Sequence, residues 1–257
     1  MLARLLFLIS VSIFIIHGKA DCQHPGLNDY NIVWTEQSED ASESMPLVGG
    51  DIGCNVWVEN GDVLLYLQRS GCLSENGEYL KIGRFRLRLN PDPLTGESLF
   101  RQELKLSDGF IEIESGSPDR WTGLHVLIKI WVDVYNPAVH IDIESDRDIE
   151  LTASYESWRT ADKELLPIQY GRERFTCFSL EGYPGKVIRV KDQVLTSGEG
   201  ILFYHRNPEE KLIPEVLIRQ QGLEASADDI FDDIENRTFG GYISGVDLVP
   251  SSTGEGI

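Results

Sequence analysis

One eight-residue segment, Gly83–Asn90, alternates strictly between apolar or small side chains and polar ones. Phe85, Leu87 and Leu89 share one face of an extended chain, and three arginines share the other. This is the period of a strand with one buried and one solvated face. The segment is therefore predicted to form a half-buried β-strand, which limits the fold to architectures that cover one face of a sheet.

Turn residues separate further runs of this kind. Residues 100–106 and 110–113 flank an Asp-Gly pair, which predicts a β-hairpin. An Asn-Pro pair separates predicted strands at 124–134 and 139–144. The other predicted strands lie at 63–68, 149–158, 175–180, 186–190, 200–205, 215–220 and 241–248. Many short strands at fairly regular spacing predict an all-β fold, an antiparallel sandwich.

One short helix is predicted at 226–236, where Ser226 can cap and Asp228 and Asp229 favour the positive N-terminal end. No linker is long enough to divide the chain, and 41% hydrophobic residues suffice for a sizeable core. We therefore expect one large domain. The last residues, 249–257, are loop-like and suggest truncation or an onward connection.

The first twenty residues have the form of a secretory signal peptide. Arg4 gives a positive start, residues 5–16 are apolar, and Gly18 and Ala20 place small residues at a cleavage site. The apolar run is too short to cross a bilayer, and no later segment approaches that length. We expect residues 1–20 to be removed and the mature protein to be secreted or lumenal.

The charge of the chain argues against nucleic acid as a partner. The full sequence has 23 basic and 42 acidic residues, and removal of Arg4 and Lys19 leaves 21 − 42 = −21. A surface of this charge repels phosphate backbones.

Four cysteines remain after removal of the signal peptide, namely Cys22, Cys54, Cys72 and Cys177. An even number in an oxidising compartment predicts up to two disulfides, with three possible connectivities. Cys54 and Cys72 are the first candidate pair, because a strand and a loop separate them. No Cys or His spacing typical of zinc occurs, so no metal site is predicted.

The densest polar cluster is Tyr204, His205, Arg206 and Asn207, at the predicted end of a strand. An aromatic ring, an imidazole, a guanidinium and an amide at a loop suit sugar hydroxyls or an interdomain contact. The alternative is a strand end held by its own side-chain hydrogen bonds. Trp34 is a further candidate sugar contact, because exposed tryptophan can stack on a sugar ring, although most buried tryptophan belongs to the core.

No catalytic residue is assigned from the sequence. A glycosidase needs two carboxylates across a cleft, and 42 acidic residues supply too many candidate pairs to choose one. Acidic residues at 142, 144, 146 and 148 have the spacing of calcium ligands, but no glycine-turned loop follows, which favours a solvated acidic face. No nucleotide or cofactor motif is present, so no cofactor is predicted.

Asn236, Arg237 and Thr238 form the sole N-glycosylation sequon. Modification of Asn236 is chemically allowed, and a buried structural turn is the alternative.

Several short motifs occur in a fixed order: Trp34, Met45-Pro-Leu-Val-Gly-Gly-Asp-Ile-Gly53, Val56-Trp57, Gly61-Asp62, Leu80-Lys-Ile-Gly-Arg84, Phe100-Arg-Gln102, Tyr204-His-Arg-Asn207 and Asn236-Arg-Thr-Phe-Gly240. Together they resemble domain of unknown function 5703, over roughly residues 28–248. That family is similar to the N-terminal β-supersandwich, galactose-mutarotase-like in fold, of fucosidase-like and maltose-phosphorylase-like glycoside hydrolases. This chain departs from the family's usual Pro-Leu-Gly-Asn-Gly-Asp at residues 46–51.

The resemblance implies that catalytic carboxylates lie in a downstream helical barrel, so none is carried over to this chain. Two functions remain. The first is a noncatalytic module that packs against a glycosidase barrel and contributes loops to a carbohydrate site. The second is a free-standing carbohydrate-binding protein or, more remotely, a sugar epimerase, because mutarotases use a similar sandwich with His and carboxylate pairs.

Overall fold

The computed structural model describes residues 26–95, 99–116, 123–165, 183–209 and 212–251. The expected signal peptide, Cys22, Cys177 and the predicted strand at 175–180 lie outside these residues. Within them the strands are, in chain order, β1 (Ile32–Trp34), β2 (Met45–Gly49), β3 (Ile52–Glu59), β4 (Asp62–Arg69), β5 (Gly83–Asn90), β6 (Leu99–Lys105), β7 (Phe110–Gly116), β8 (His125–Val132), β9 (Val139–Ser145), β10 (Glu150–Glu156), β11 (Lys163–Leu165), β12 (Val187–Arg189), β13 (Gln193–Ser197), β14 (Gly200–Arg206) and β15 (Thr238–Ile243).

Two five-stranded antiparallel sheets form the body of the protein. The first has the strand order β1-β6-β7-β8-β9, and the second has the order β10-β5-β4-β3-β2. Their inner faces share one hydrophobic core, to which β3 contributes Val56, β4 Leu65, β7 Ile113 and β8 Ile130. The predicted antiparallel β-sandwich is confirmed.

The strictly alternating segment forms β5 with the predicted bounds. Phe85 and Leu87 are buried in the core, while Arg86 lies on the outer face between the carboxylates of Asp62 and Glu156. The predicted Asp-Gly hairpin also forms, between β6 and β7. Gly109 has a φ of +72°, a conformation that favours glycine, and its N–H donates to the carbonyl of Lys105 at 2.8 Å.

The predicted helix at 226–236 is wrong. Glu224–Asp229 form a 3-10 helix, and residues 230–236 are not helical. Within 228–233, Asp228 and Asp232 repel each other at helical i,i+4 spacing, which disfavours a regular helix.

The single α-helix of the described residues, α1, covers Leu212–Gln221, which includes the predicted strand at 215–220. Ile213 and Val216 are its buried residues. Their spacing of three positions suits one face of a helix. Pro214 stands in the first turn, where its missing N–H costs no intrahelical hydrogen bond.

A smaller layer lies beside the sandwich. Strands β11 and β12 form a two-stranded sheet, and β13-β14-β15 form a three-stranded sheet. Val187 of β12 and Leu165 of β11 share a second hydrophobic cluster with α1. Phe203 of β14 belongs to the main core, and its ring stacks on Tyr155 of β10 at a centroid distance of 4.1 Å. The small layer is thereby joined to the sandwich.

Cys54 and Cys72 are both free, so the predicted disulfide between them is wrong. Cys54 lies on β3 and Cys72 follows β4, and both side chains are buried in the sandwich core. Burial raises the pKa of Cys54 to about 12, and it also raises the pKa of Cys72. Both residues act as small apolar side chains that complete the core.

Candidate functional site

The four predicted contact residues lie at the end of β14 and just after it. His205 and Asn207 are only 1% exposed. Tyr204 is half-buried and Arg206 is exposed, because successive residues of a strand point to opposite faces. The structure thus divides the predicted cluster between the protein interior and the surface.

His205 lies between two buried carboxylates. Its Nδ1 is 2.9 Å from Asp192 Oδ1, and its Nε2 is 2.9 Å from Glu75 Oε2. Arg159 Nε donates to the same oxygen of Asp192 at 2.8 Å. We call Glu75, Arg159, Asp192 and His205 the buried latch. The positive charges of the Arg159 guanidinium and of a protonated His205 imidazole balance the negative charges of its two carboxylates.

The surroundings of His205 and Asp192 favour the charged forms of these two side chains. Burial alone would lower the pKa of His205, but the hydrogen bonds to Asp192 and Glu75 outweigh it and raise the pKa. Burial alone would raise the pKa of Asp192, but the bonds from His205 and Arg159 outweigh it and lower the pKa. An imidazolium donates from both ring nitrogens, as the two carboxylates require.

The latch joins segments that are far apart in sequence. Glu75 lies in the turn after β4, and its Oε1 also accepts the N–H of Val190 at 2.8 Å. Asn207 Nδ2 donates to the carbonyls of Leu73 and Ile234, at 3.1 and 2.8 Å. These bonds fasten the turn after β4 to the small layer.

A groove of about 380 Å³ lies on the outer face of the second sheet, where β2, β3 and β4 run side by side. Pro46 and Val48 of β2 form part of its wall. We call it the outer groove, and its polar and aromatic lining consists of Asp51, Asn55, Tyr66, Gln68, Arg69, Ser70, Tyr79 and Lys81.

Tyr66 lies at the centre of an aromatic cluster beside the groove. Its ring centroid is 4.8 Å from that of buried Trp57 and 5.9 Å from that of Trp158. The ammonium of Lys81 lies 3.9 Å from the Tyr66 centroid. Tyr79 is 75% exposed at the edge of the groove, which leaves its ring open to a ligand.

Polar groups of the outer groove surround these rings. Asp51 accepts a hydrogen bond from Arg69 Nε at 2.7 Å, so this carboxylate is already neutralised. Asn55 and Gln68 present amides on neighbouring strands, and Asn55 Nδ2 donates to Ser44 Oγ at 3.0 Å. None of these residues was predicted from the sequence as a ligand contact. They come together only through the pairing of β3 and β4, which puts Asn55 directly opposite Tyr66.

A second cleft, of about 460 Å³, lies between β10 and the three-stranded sheet. Asp192, Glu199 and Tyr155 are among its lining residues. Asp192 is 8% exposed and belongs to the buried latch, where its pKa is lowered. A general acid needs the opposite shift, so Asp192 does not suit that role.

Trp34 and Asn236 lie apart from the outer groove. Trp34 pairs with Gln102 across β1 and β6 and packs against the sandwich core. Asn236 lies in a turn before β15 with a φ of +55°, and its Oδ1 accepts a hydrogen bond from Arg206 at 3.3 Å. The contact role of Trp34 and the glycosylation of Asn236 stay predictions.

The described residues contain neither a metal-binding group of side chains nor a membrane-spanning helix. No group of three His, Cys, Asp or Glu side chains in this part of the chain could hold a metal ion. None of its helices is long and apolar enough to cross a membrane.

No curated protein matches the chain. One family model does match, over residues 33–257, and it is described as a domain of unknown function. The match covers most of the chain, including all fifteen strands except the first residue of β1. The protein therefore belongs to the DUF5703 family and carries its N-terminal domain.

Proposed function

We propose that this chain is the noncatalytic N-terminal β-sandwich module of a secreted, glycoside-hydrolase-like protein, and that it contacts carbohydrate through the outer groove. The observation that carries the proposal is the exposed ring of Tyr79 beside the amides and charged groups of a groove of about 380 Å³. Aromatic faces stack on the C–H groups of sugar rings, while amides and charged side chains bond hydroxyls.

The distribution of carboxylates supports a noncatalytic role. Glycoside cleavage needs an acid and a second carboxylate on opposite sides of the substrate. Among the described residues, Asp51 is the only carboxylate in the lining of the outer groove, and it forms an ion pair with Arg69. In the parent protein, the chemistry would then belong to the downstream helical domain that the family resemblance implies.

The burial of His205 weighs against the sugar epimerase. Proton transfer to a sugar requires an imidazole within hydrogen-bond reach of the substrate. His205 is 1% exposed, and both of its ring nitrogens bond carboxylates. A free-standing carbohydrate-binding protein remains the second candidate, and the same outer groove favours it.

Saccharide binding by matched tyrosine variants tests the groove. We expect the isolated protein to bind members of a panel of neutral and acidic plant and algal oligosaccharides. Tyr79→Ala should weaken binding about five- to thirty-fold, because a stacked ring contributes roughly 1–2 kcal/mol. The matched control is Tyr135→Ala, which removes another exposed tyrosine, 95% exposed and outside the groove.

Calorimetric titration measures the affinities, and thermal melts show that both variants stay folded. Equal binding by the two variants would contradict the groove assignment. Turnover of aryl fucosides, galactosides or glucosides that disappears on replacement of one Asp or Glu would overturn the noncatalytic role.

A further inference from the structure

The charge of the outer groove differs in sign from that of the whole chain. The complete sequence has a net charge of −19. The charged residues that line the groove are Asp51, Arg69 and Lys81, which sum to 2 − 1 = +1. Since the Asp51 and Arg69 side chains neutralise each other at 2.7 Å, the excess charge is that of Lys81.

The ammonium of Lys81 is held in place but left unneutralised. It lies over the face of Tyr66, 3.9 Å from the ring centroid, and it forms no ion pair within the described ranges. Cation–π contact fixes the position of an ammonium and leaves its N–H donors available. The backbone of Lys81 is also fixed, because its carbonyl accepts a hydrogen bond from Arg159 Nη2 at 2.9 Å.

We propose that the outer groove selects acidic saccharides, with Lys81 binding the carboxylate of a uronic acid residue. This inference rests on the proposed carbohydrate-contact function. The ammonium of Lys81 lies over the ring of Tyr66. The exposed ring of Tyr79 is therefore the one that stacks on the sugar. The amides of Asn55 and Gln68 line the same groove and bond the hydroxyls. A neutral sugar uses the same ring and amides but leaves the ammonium without a partner.

The experiment compares α-1,4-linked trigalacturonic acid with its fully methyl-esterified form, which has the same sugar rings but no charge. We expect the native protein to bind the acid about ten-fold more tightly than the ester, since a charge-assisted hydrogen bond contributes more than a neutral one. Lys81→Gln should remove this preference while it leaves the affinity for the ester within about two-fold. Lys191→Gln, which neutralises an exposed lysine outside the groove, should keep the full preference.

Each outcome has a distinct meaning. Equal binding of acid and ester by the native protein would overturn the acidic selectivity and leave the groove as a carbohydrate site. A preference for the acid that survives in Lys81→Gln would also overturn it, because the selectivity would come from another group. If neither probe binds and the wider panel of neutral and acidic sugars fails too, both the selectivity and the proposed function are wrong.

Discussion

The outer groove and the buried latch hold the same kinds of side chains, but they differ in exposure and in charge balance. Asp192 and His205 of the latch are at most 8% exposed, and each bonds an oppositely charged partner. In the groove, Tyr79 is 75% exposed, and the ammonium of Lys81 lies over the Tyr66 ring without an ion-pair partner among the described residues. Polar clustering alone therefore does not identify a ligand site. The proposed site rests instead on accessible groups with unused bonding capacity.

The two regions are connected in space through Arg159. Arg159 bonds Asp192 inside the latch, and its Nη2 donates to the carbonyls of Lys81 and Ile82. The backbone at residues 81 and 82 thus connects the lining of the outer groove with the buried latch. Arg159 of the latch bonds the backbone of Lys81, while the side chain of Lys81 is exposed in the groove.

The largest expected effect comes from disrupting the buried latch, and it is a loss of folding stability. His205→Ala removes the imidazolium and leaves Glu75 and Asp192 as buried like charges. We expect the free energy of unfolding, measured in urea, to fall by about 3–5 kcal/mol. From the sequence, a sugar or interdomain contact and a strand end held by its own hydrogen bonds were the two alternatives for His205, and a large loss of stability would favour the second.

The control is His140→Ala. His140 lies on the outer face of β9 and stacks on Trp131 at a centroid distance of 4.0 Å, so its loss should cost about 1 kcal/mol. Equally small losses for both variants would mean that the latch does not hold the fold together.

A smaller effect should appear as pH dependence of stability. Because the pKa of His205 is raised, its contribution is complete below its unfolded pKa of about 6.5 and is lost as pH rises through the folded value. Because the pKa of Asp192 is lowered, its contribution is present above about 3.9 and is lost as pH falls through the folded value. The unfolding free energy should therefore decline on both sides of a plateau.

Urea denaturation at a series of pH values measures this profile. The unfolding free energy of His205→Gln should lack the part of the decline at rising pH that His205 causes, because the amide does not titrate. An unchanged alkaline decline in this variant would show that another group causes it.

Strands with one apolar face and one polar face could be predicted from the sequence. β5 and the hairpin of β6 and β7 follow from alternation and from Asp-Gly, both of which are local signals. β3 escaped prediction because Trp57 is buried on its outer face while Val56 and Val58 are buried on its inner face, which breaks the alternation. α1 was predicted as a strand because its apolar residues are adjacent as well as spaced by three.

The candidate site was beyond the sequence for a different reason. Glu75 and His205 are 130 positions apart, and no local pattern indicates that they meet. The outer groove combines β2, β3 and β4 with the turn that carries Tyr79 and Lys81, so its composition depends on the register of the strands. Tyr204, His205, Arg206 and Asn207 were correctly recognised as a dense polar group, but burial of His205 and Asn207 was not foreseen.

The most direct test of the central claim is hydrogen–deuterium exchange of the isolated protein with and without a bound oligosaccharide. Ligand contacts slow exchange in the segments that they order. We predict new protection in peptides that cover residues 46–55, 66–70 and 79–81, with no change in peptides that cover residues 192–207. Protection confined to 192–207, with the groove peptides unchanged, would contradict the account and return the binding site to the end of β14.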